Sequence, residues 1–273
     1  MVARVASWIS LFSRPYGTCS WRAWSGPGST SERREVSARV RLPVVTPALV
    51  IAIDGPAGSG KSSVSRAVAS RLGLAYLDTG AMYRAATWVV LDRGIDPDDT
   101  DAVAALMTGD AAPAIESGTD PAEPFIRVDG MDVAEAIRGE LVTSAVSAVS
   151  AVGAVRQGML DLQREHAHVS SGIVVEGRDI GSVVLPQADV KVFLTADPSV
   201  RAQRRAAEVN VGDAGMVSAT EDALRARDAK DTTRAISPLA PAEGSIEIDT
   251  TNLTFDDVVD AVISLVRDAP EGR

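Results

Sequence analysis

The amino-acid sequence predicts an α/β fold in which helices cover both faces of a parallel sheet. Its first clear element is an apolar, partly β-branched segment at residues 48–53, which has the composition of a buried parallel strand. A glycine-rich turn and a helical pattern follow directly, and short apolar segments then alternate with helical patterns along most of the chain. Because such alternation joins parallel strands through helical crossovers, it favours one sheet with helices on both sides.

Capping and turn residues mark the elements that follow the first strand. Apolar residues recur at helical spacing through residues 64–72, and Gly73 ends that helix. Residues 74–77 predict a short strand, and Asp78 and Thr79 then cap a second helix. The chain therefore begins with two strand–helix units.

Residues 92–140 depart from this alternation. Asp and Pro are dense there, and residues 125–130 alternate apolar and polar before a glycine turn. We therefore expect a small strand-containing insertion instead of another strand–helix unit.

The α/β alternation returns after the insertion. A long helical stretch is predicted over about 141–168, an arginine-rich helix after Asp197 and Pro198, and a closing helix capped by Thr254. Strands are predicted at 173–175, 190–194 and 246–249.

Composition narrows the classes of partner. The chain has 273 residues, of which 45% are hydrophobic, enough for a full core. Its net charge of −10 argues against a nucleic-acid polymer as partner, since such binding relies on basic surface. The single cysteine, Cys19, excludes an internal disulfide and a cysteine metal cluster. No apolar run approaches the length of a transmembrane helix, so we expect no membrane partner.

Residues 1–46 differ in composition from the rest of the chain. They carry seven arginines, two glutamates, several serines and no sustained periodicity. This composition is typical of a transit peptide, and it also fits a disordered arm or an overextended start. We expect a disordered or non-catalytic extension.

The most specific motif lies at residues 55–62, which fit the phosphate-binding pattern G-x-x-x-x-G-K-[ST]. Between a strand and a helix, this loop aims backbone N–H groups and the positive helix end at one anion. An ordinary glycine-rich turn would explain the glycines but not Lys61, whose charge opposes the helix dipole. We expect ATP there, with Lys61 bridging its β- and γ-phosphates and Ser62 holding Mg²⁺. The expected ATP-binding residues are Gly55, Pro56, Ala57, Gly58, Ser59, Gly60, Lys61, Ser62 and Ser63.

Two further segments are typical of anion binding, although each has an ordinary alternative. Thr79–Arg84 is a second strand–turn–helix junction with an arginine one turn in, or only a capped helix start. The segment 177–181 places Arg178 and Asp179 at the carboxyl end of a strand, where ligands of open α/β sheets bind. The alternative is a tight turn closed by a pair between those two side chains.

A charged helical face is the third candidate. Arg227, Lys230, Asp231 and Arg234 lie at spacings that place them on one side of a helix. An ordinary solvated helix shows such charges too, so the face alone decides nothing. A triphosphate loop together with several separate arginines nevertheless suits transfer between two phosphate-bearing substrates, because positioning and charge stabilisation carry that reaction.

The sequence resembles the bacterial cytidylate kinases, nucleoside monophosphate kinases that phosphorylate CMP and dCMP with ATP. The resemblance extends over about residues 48–268, and its four motifs together are specific where the phosphate-binding loop alone is not. They are Ile-Asp-Gly-Pro-Ala-Gly-Ser-Gly-Lys at 53–61, Leu-Asp-Thr-Gly-Ala-Met-Tyr-Arg at 77–84, Glu-Gly-Arg-Asp-Ile-Gly at 176–181 and Arg-Asp-Ala-Lys-Asp-Thr-Thr-Arg-Ala at 227–235.

The resemblance implies a domain organisation. It implies a P-loop NTPase core at 47–105 and 141–273, interrupted by a small monophosphate-binding insertion at 106–140. It also implies a helical lid at about 201–226, whose arginines would approach the phosphates.

The resemblance implies roles for individual residues as well. Lys61, Arg178 and Arg227 would be catalytic. The CMP-binding residues would be Thr79, Tyr83, Arg84, Ser147, Arg156, Arg178, Asp179, Asp231 and Arg234. Of these, Thr79, Arg84 and Arg178 would contact the monophosphate, Ser147, Arg156 and Asp179 the cytosine, and Asp231 and Arg234 the sugar and base side.

Cytosine chemistry agrees with two of these roles. The exocyclic amine of cytosine needs an acceptor such as Asp179, and its O2 and N3 need donors such as Arg156. Uracil carries a carbonyl in place of the amine, which a carboxylate repels, so we expect strong discrimination against UMP.

The residues alone leave two other functions open. One is a P-loop kinase for another phosphorylated or carboxylate acceptor, such as shikimate, because arginines bind either group. The other is a non-catalytic nucleotide-binding switch, although the [NT]-K-x-D sequence of guanine-binding switches does not occur in the chain. We expect a cytoplasmic monomer whose partners are ATP and CMP or dCMP.

Overall fold

The computed structural model describes residues 48–208, 214–234 and 236–268. Five parallel strands form its central sheet, in the order β2–β6–β1–β7–β8, and three short strands form a separate antiparallel sheet, in the order β3–β4–β5. The strands are β1 (Leu49–Asp54), β2 (Ala75–Asp78), β3 (Ile115–Ser117), β4 (Ile126–Val128), β5 (Met131–Asp132), β6 (Gly172–Gly177), β7 (Val190–Thr195) and β8 (Ile246–Asp249).

Helices cover both faces of the central sheet, as the sequence predicts. The helices are α1 (Lys61–Leu72), α2 (Thr79–Asp92), α3 (Thr100–Thr108), α4 (Glu140–Val149), α5 (Gly153–Val169), α6 (Pro198–Glu208), α7 (Ala214–Thr232) and α8 (Phe255–Asp268). Buried residues of α1 and α8 pack on one face, and those of α2 and α5 on the other. None of these helices is long and apolar enough to cross a membrane.

Strand β1 lies at the centre of both cores. Its side chains alternate, so that Ile51 and Ile53 join the core beside α1 and α8, while Ala52 joins the core beside α2 and α5. All three side chains are fully buried. A strand buried on both faces has no polar side to show, which explains the continuous apolar segment in the sequence.

Local signals fix most element boundaries correctly. Gly73 ends α1 with a positive φ of 66°, and Asp78 caps α2 by accepting a hydrogen bond from the Ala81 N–H. Thr254 and Asp257 cap α8 reciprocally, each side-chain oxygen accepting the other residue's backbone N–H. These short-range contacts are visible in the sequence because donor and acceptor lie three residues apart.

Two helical assignments differ from the sequence expectation. The stretch 92–140 contains the helix α3 as well as the small sheet, with Asp99 accepting the Ala102 N–H at its start. The predicted long helix over about 141–168 is two helices, because Val152 is extended (φ −68°, ψ 123°) between α4 and α5. The predictions for residues 1–46, and for 209–213 within the expected lid, lie outside the described residues.

The segment between β3 and β4 returns to the central sheet. The Thr119 carbonyl accepts the Tyr76 N–H of β2 at 2.8 Å. Arg66 of α1 donates from its Nε to the Pro121 carbonyl at 3.0 Å. The small sheet is therefore linked by hydrogen bonds to both β2 and α1.

Candidate active site

The phosphate-binding loop connects β1 to α1 and packs closely against two neighbouring elements. A Cβ at Gly55 would lie 2.0 Å from the Leu194 carbonyl oxygen, and one at Gly58 would lie 2.9 Å from the Arg201 carbonyl oxygen. Both glycines also have positive φ, 147° and 76°. Only glycine satisfies both restrictions, so the loop keeps the backbone path that a bound phosphate chain needs.

Lys61 and Ser62 open α1 directly after the loop. The Lys61 Nζ donates to the Pro56 carbonyl at 2.8 Å, so the side chain folds back over the loop. Burial, together with the nearby Arg178 guanidinium, lowers the pKa of Lys61. The Ser62 hydroxyl donates to Glu176 Oε2 at 2.9 Å. The ammonium and the hydroxyl expected to serve a triphosphate thus lie side by side at the carboxyl end of the sheet.

Glu176 is a member of this site that the sequence interpretation did not assign. It is the penultimate residue of β6, is buried, and accepts a 2.5 Å hydrogen bond from the Tyr76 hydroxyl at Oε1. Burial and the charge of Asp78 raise its pKa above the usual range for a carboxyl group. The sequence signal that could have identified Glu176 is its position at the end of a predicted strand, where it opens the motif at 176–181.

The segment at 79–84 lies beside this carboxylate. The Thr79 hydroxyl donates to the Glu176 carbonyl at 2.6 Å. Arg84 Nη1 donates to the Ile137 carbonyl at 3.1 Å and to the Thr143 hydroxyl at 2.9 Å. Burial and the neighbouring Arg205 lower the pKa of Arg84 to about 10, so it remains protonated near neutral pH. The segment thus makes contacts beyond the helix cap that Asp78 provides.

Arg178 connects the phosphate-binding loop to α7. Its Nη1 donates to the Gly55 carbonyl at 2.7 Å, and its Nε forms an ion pair with Asp231 Oδ2 at 3.0 Å. The second oxygen of Asp231 pairs with Arg234 Nη2, also at 3.0 Å. One buried carboxylate therefore orients two arginines.

The neighbouring Asp179 has a different partner. Its Oδ2 forms a short ion pair with Arg156 Nη2, and both side chains are buried. The alternative in which Arg178 and Asp179 close the turn by pairing with each other is therefore wrong.

Aromatic and backbone contacts surround this pair. The Arg156 guanidinium lies 5.5 Å from the centre of the Tyr83 ring, and its Nη1 donates to the Ser150 carbonyl at 3.3 Å. Ser147 lies half-buried on α4, and its carbonyl accepts a 3.3 Å hydrogen bond from the Ser150 hydroxyl. Ser147 is thus connected to Arg156 through Ser150.

Arg227 adds a further buried cation. Its Nε has no hydrogen-bond acceptor among the residues that the structure describes. Burial, followed by the charges of Arg178 and Arg84, lowers its pKa to about 9. Because partly buried cations repel one another, the cluster of Lys61, Arg84, Arg178 and Arg227 is suited to an anion of several charges.

The first arginines of the expected lid have other contacts. Arg201 is buried, donates from Nη1 to the Ala57 carbonyl at 3.1 Å, and pairs with Asp228 at 2.5 Å. Arg204 donates to the hydroxyl and carbonyl of Thr250, at 2.8 and 2.7 Å. Arg201 and Arg204 therefore join α6 to the phosphate-binding loop, to α7 and to the segment after β8. Arg201 is therefore not a solvated surface side chain.

The phosphate-binding loop and the cation cluster beside it are typical of P-loop phosphotransferases. The chain belongs to the cytidylate kinase family, whose sequence profile matches residues 51–268. This family membership confirms the resemblance expected from the four motifs.

Several curated relatives support the assignment. A cytidylate kinase of Streptomyces avermitilis is 54% identical over 223 residues, covering 81% of this chain and 94% of that protein. Cytidylate kinases of Streptomyces coelicolor and Rhodococcus opacus are 54% and 51% identical, covering 83% and 81% of this chain and 96% of each relative. A solved gluconokinase structure from Sinorhizobium meliloti is only distantly similar, with a TM-score of 0.43 and 16% identity, covering 82% of this chain and 94% of that one.

Proposed function

We propose that this protein transfers the γ-phosphoryl group of ATP to CMP or dCMP, giving ADP and CDP or dCDP. The observation that carries the proposal is the position of Arg178, whose guanidinium contacts the phosphate-binding loop at Gly55 and α7 at Asp231. A cation that contacts both the phosphate-binding loop and α7 is well placed to stabilise a phosphoryl group that passes between two substrates. Membership of the cytidylate kinase family supports CMP as the acceptor.

The donor side would consist of Gly55–Ser63. Backbone N–H groups at the start of α1 would bind the phosphates, and Lys61 would leave its contact with the Pro56 carbonyl to reach the β- and γ-phosphates. Lys61 is already desolvated, so its charge acts on the phosphates with little screening by water. Arg227 and Arg178 would neutralise the charge that develops on the transferred group.

Magnesium fits the oxygen atoms at this point of the site. The Ser62 hydroxyl is hydrogen-bonded to a buried carboxylate, Glu176, and Mg²⁺ prefers such hard oxygen ligands. Ser62 would bind the ion directly, and Glu176 would accept hydrogen bonds from its water ligands. When bound, the ion would neutralise phosphate charge and orient the donor.

The acceptor side would bind CMP between α2, α5 and the turn after β6. Thr79, Arg84 and Arg178 would bind the monophosphate. Among the residues that the structure describes, Arg84 donates hydrogen bonds through Nη1, so its Nε and Nη2 would bind the phosphate oxygens. The roles proposed for the other residues are contact with cytosine for Ser147, Arg156 and Asp179, packing for Tyr83, and contact with the sugar for Asp231 and Arg234.

The buried pair of Asp179 and Arg156 favours a cytosine acceptor over one without a base. A carboxylate and a guanidinium offer an acceptor to the exocyclic amine and donors to O2 and N3 of cytosine. A small carboxylate acceptor such as shikimate would leave this buried pair without a role. A non-catalytic switch is the remaining alternative, and the loss of transfer in a Lys61 variant would separate it from a kinase.

The domain roles belong to the same proposal. The core would consist of 47–105 and 141–273, the monophosphate-binding insertion of 106–140, and the lid of about 201–226. We also expect a monomer, and we expect it in the cytoplasm because the reaction consumes ATP.

An ATP-consumption assay over CMP, dCMP, UMP and AMP tests the proposal. We expect activity with CMP and dCMP, and a kcat/KM for UMP lower by at least about 100-fold, since a repelled carbonyl would leave Asp179 without its partner. Lys61→Ala should lose at least about 100-fold in kcat while its circular dichroism spectrum stays that of the folded protein. Equal kcat/KM for CMP and UMP, or transfer that survives in Lys61→Ala, would contradict the proposal.

A further inference from the structure

Asp54 is a buried carboxylate at the end of β1 that none of the roles above uses. Its side chain is 3% exposed. Oδ1 accepts the Ile180 N–H and Oδ2 accepts the Gly181 N–H, each at 2.8 Å. Both N–H groups belong to the single π-helical turn at Ile180–Val184, which begins directly after Arg178 and Asp179.

The two hydrogen bonds of Asp54 continue the contact between β1 and the chain after β6 beyond the end of the strand pairing. The parallel pairing of β1 and β6 reaches Asp54 opposite Gly177, the last residue of β6. Beyond that point the Asp54 carboxylate binds the turn in place of backbone pairing. The next residue along, Gly55, adds a third link by accepting the Arg178 Nη1–H at 2.7 Å. Asp54 and Gly55 therefore join the phosphate-binding loop to the turn 178–181 through three hydrogen bonds.

The two adjacent backbone donors account for the presence of a buried carboxylate at this position. Burying a carboxylate is costly, and burial raises the pKa of Asp54 to about 6 even though two backbone donors favour the ionised form. A carboxylate offers two oxygen acceptors side by side, and here each oxygen accepts one of two adjacent backbone N–H groups, those of Ile180 and Gly181. The two oxygens of Asp54 thus match the backbone donors of the turn that follows Arg178 and Asp179.

We infer that Asp54 is a positioning residue that fixes Arg178 and Asp179 relative to the phosphate-binding loop, so that donor and acceptor sites keep one geometry. This inference rests on the proposed function, because Arg178 and Asp179 are the residues proposed to contact the monophosphate and the cytosine. Asp54 itself touches neither substrate.

Asp54→Asn tests the inference because it removes one acceptor while keeping the size of the side chain. Its amide nitrogen must face a backbone N–H, so one donor meets another and the turn has to shift. We expect kcat/KM for CMP to fall about 10- to 100-fold, because misplacing a binding group by about 1 Å has effects of this size. The ratio of kcat/KM for CMP to that for UMP should fall as well, because Asp179 moves with the turn.

Asp189→Asn is the matched control. The Asp189 Oδ2 also accepts a backbone N–H of β1, that of Val50 at 2.8 Å, but at the opposite end of the strand. We expect this variant to keep the wild-type ratio of CMP to UMP activity. Asp54→Ser, which is neutral and small, is a second test variant if Asp54→Asn does not fold, and the same fall in the ratio is expected.

Hydrogen exchange provides a readout that does not depend on activity. The amides of Ile180 and Gly181 should exchange faster in Asp54→Asn. The Val50 amide should keep its protection in Asp189→Asn, because the asparagine oxygen can still accept this single N–H. An Asp54→Asn protein with unchanged exchange at both amides, or with equal losses for CMP and UMP, overturns the positioning role. Faster exchange in a protein whose wild type does not phosphorylate CMP would support the structural link and reject the proposed function instead.

Discussion

The contact between Asp179 and Arg156 pairs two buried charges with each other. Removing one partner of such a pair leaves an uncompensated buried charge, whereas replacing both by apolar side chains is often neutral for stability. Function and stability can therefore be separated at this one contact. In the proposed mechanism the same two side chains would contact cytosine.

Asp179→Leu and Arg156→Leu are expected to behave differently alone and together. Each single variant should lower the free energy of unfolding by about 3 kcal/mol, because the remaining charge stays buried without its partner. The double variant should recover most of that loss, but none of the three should phosphorylate CMP at more than about 1% of the wild-type kcat/KM. Urea unfolding and the kinase assay measure the two effects. A double variant that is less stable than either single variant would contradict this account.

Single residues also show where sequence reasoning stops. The sequence identifies Arg178 and Asp179 as candidates because they follow a buried strand, and it leaves a pair between the two side chains open as an alternative. In the structure they pair with Asp231 and Arg156. Partner choice depends on which distant helices reach the strand end, and the sequence spacing does not contain this information. Asp54 could not be distinguished for the same reason, since a carboxylate at a strand end is usually solvated.

Among the elements, the phosphate-binding loop has the least freedom to vary. Gly55 and Gly73 both have positive φ, 147° and 66°, but their surroundings differ. A Cβ at Gly55 would overlap the backbone of β7 at Leu194, whereas one at Gly73 would meet no atom within 4 Å. The loop glycine is therefore required by packing as well as by backbone conformation.

Gly55→Ala and Gly73→Ala form a matched pair that tests this difference. Gly73→Ala should lower the free energy of unfolding by about 1 kcal/mol, because an alanine with positive φ is strained by about this amount. Gly55→Ala should cost more than about 4 kcal/mol or fail to fold, because the backbone of β7 must move as well. Chemical unfolding of the two variants measures the difference, and equal losses would contradict the packing argument.

Elements with local signals could be predicted from the sequence, and elements defined by distant contacts could not. The central strands and α1, α2 and α8 have apolar periodicity together with caps three residues apart. Helix α3 was missed although Asp99 caps it, because dense Asp and Pro residues around it resemble a loop. The break at Val152 between α4 and α5 lacks any proline, and Gly153 after it is a weak signal because an isolated glycine is tolerated inside a helix.

On the scale of the whole molecule, the site is a concentration of positive charge in an acidic protein. The chain has a net charge of −10, yet the charge of Arg178 helps to lower the pKa values of Lys61, Arg84 and Arg227. Such repulsion opposes folding until an anion compensates it. Ligand binding and stability are therefore coupled through this cluster.

Tripolyphosphate should stabilise the protein by binding this cluster. At a tripolyphosphate concentration of about 100 times its dissociation constant, we expect the free energy of unfolding to rise by about 2.7 kcal/mol. This rise is equivalent to an increase of roughly 5–10 °C in Tm. Sodium chloride at equal ionic strength should give much less, because it screens charge without bridging the cations. Arg227→Gln should lose part of the gain, while Arg71→Gln, on the exposed face beside Asp256 and Asp260, should keep it. Equal gains in Arg227→Gln and wild type would contradict a role for Arg227 in anion binding.

The overall architecture explains why four separated motifs form one site. The carboxyl ends of β1, β2 and β6 lie next to one another in the sheet, so the residues that follow them meet without long loops. Strand–helix alternation in the sequence predicts this meeting point. It does not predict the position of α7, which brings Asp231 and Arg234 to the site from outside the sheet.

The hydrogen bond between Thr119 and Tyr76 has a consequence for the behaviour of the protein in a crowded solution. Strand β2 is the outermost strand on its side of the sheet, and an outermost strand with free backbone groups is a template on which another chain can add a strand. The Thr119 carbonyl accepts a hydrogen bond from the Tyr76 N–H at the middle of that strand, so this donor is not free to pair with another chain. The segment that joins the small sheet to the core thus also shields one border of the sheet from self-association, and shortening it would invite aggregation even with every nucleotide-binding residue in place.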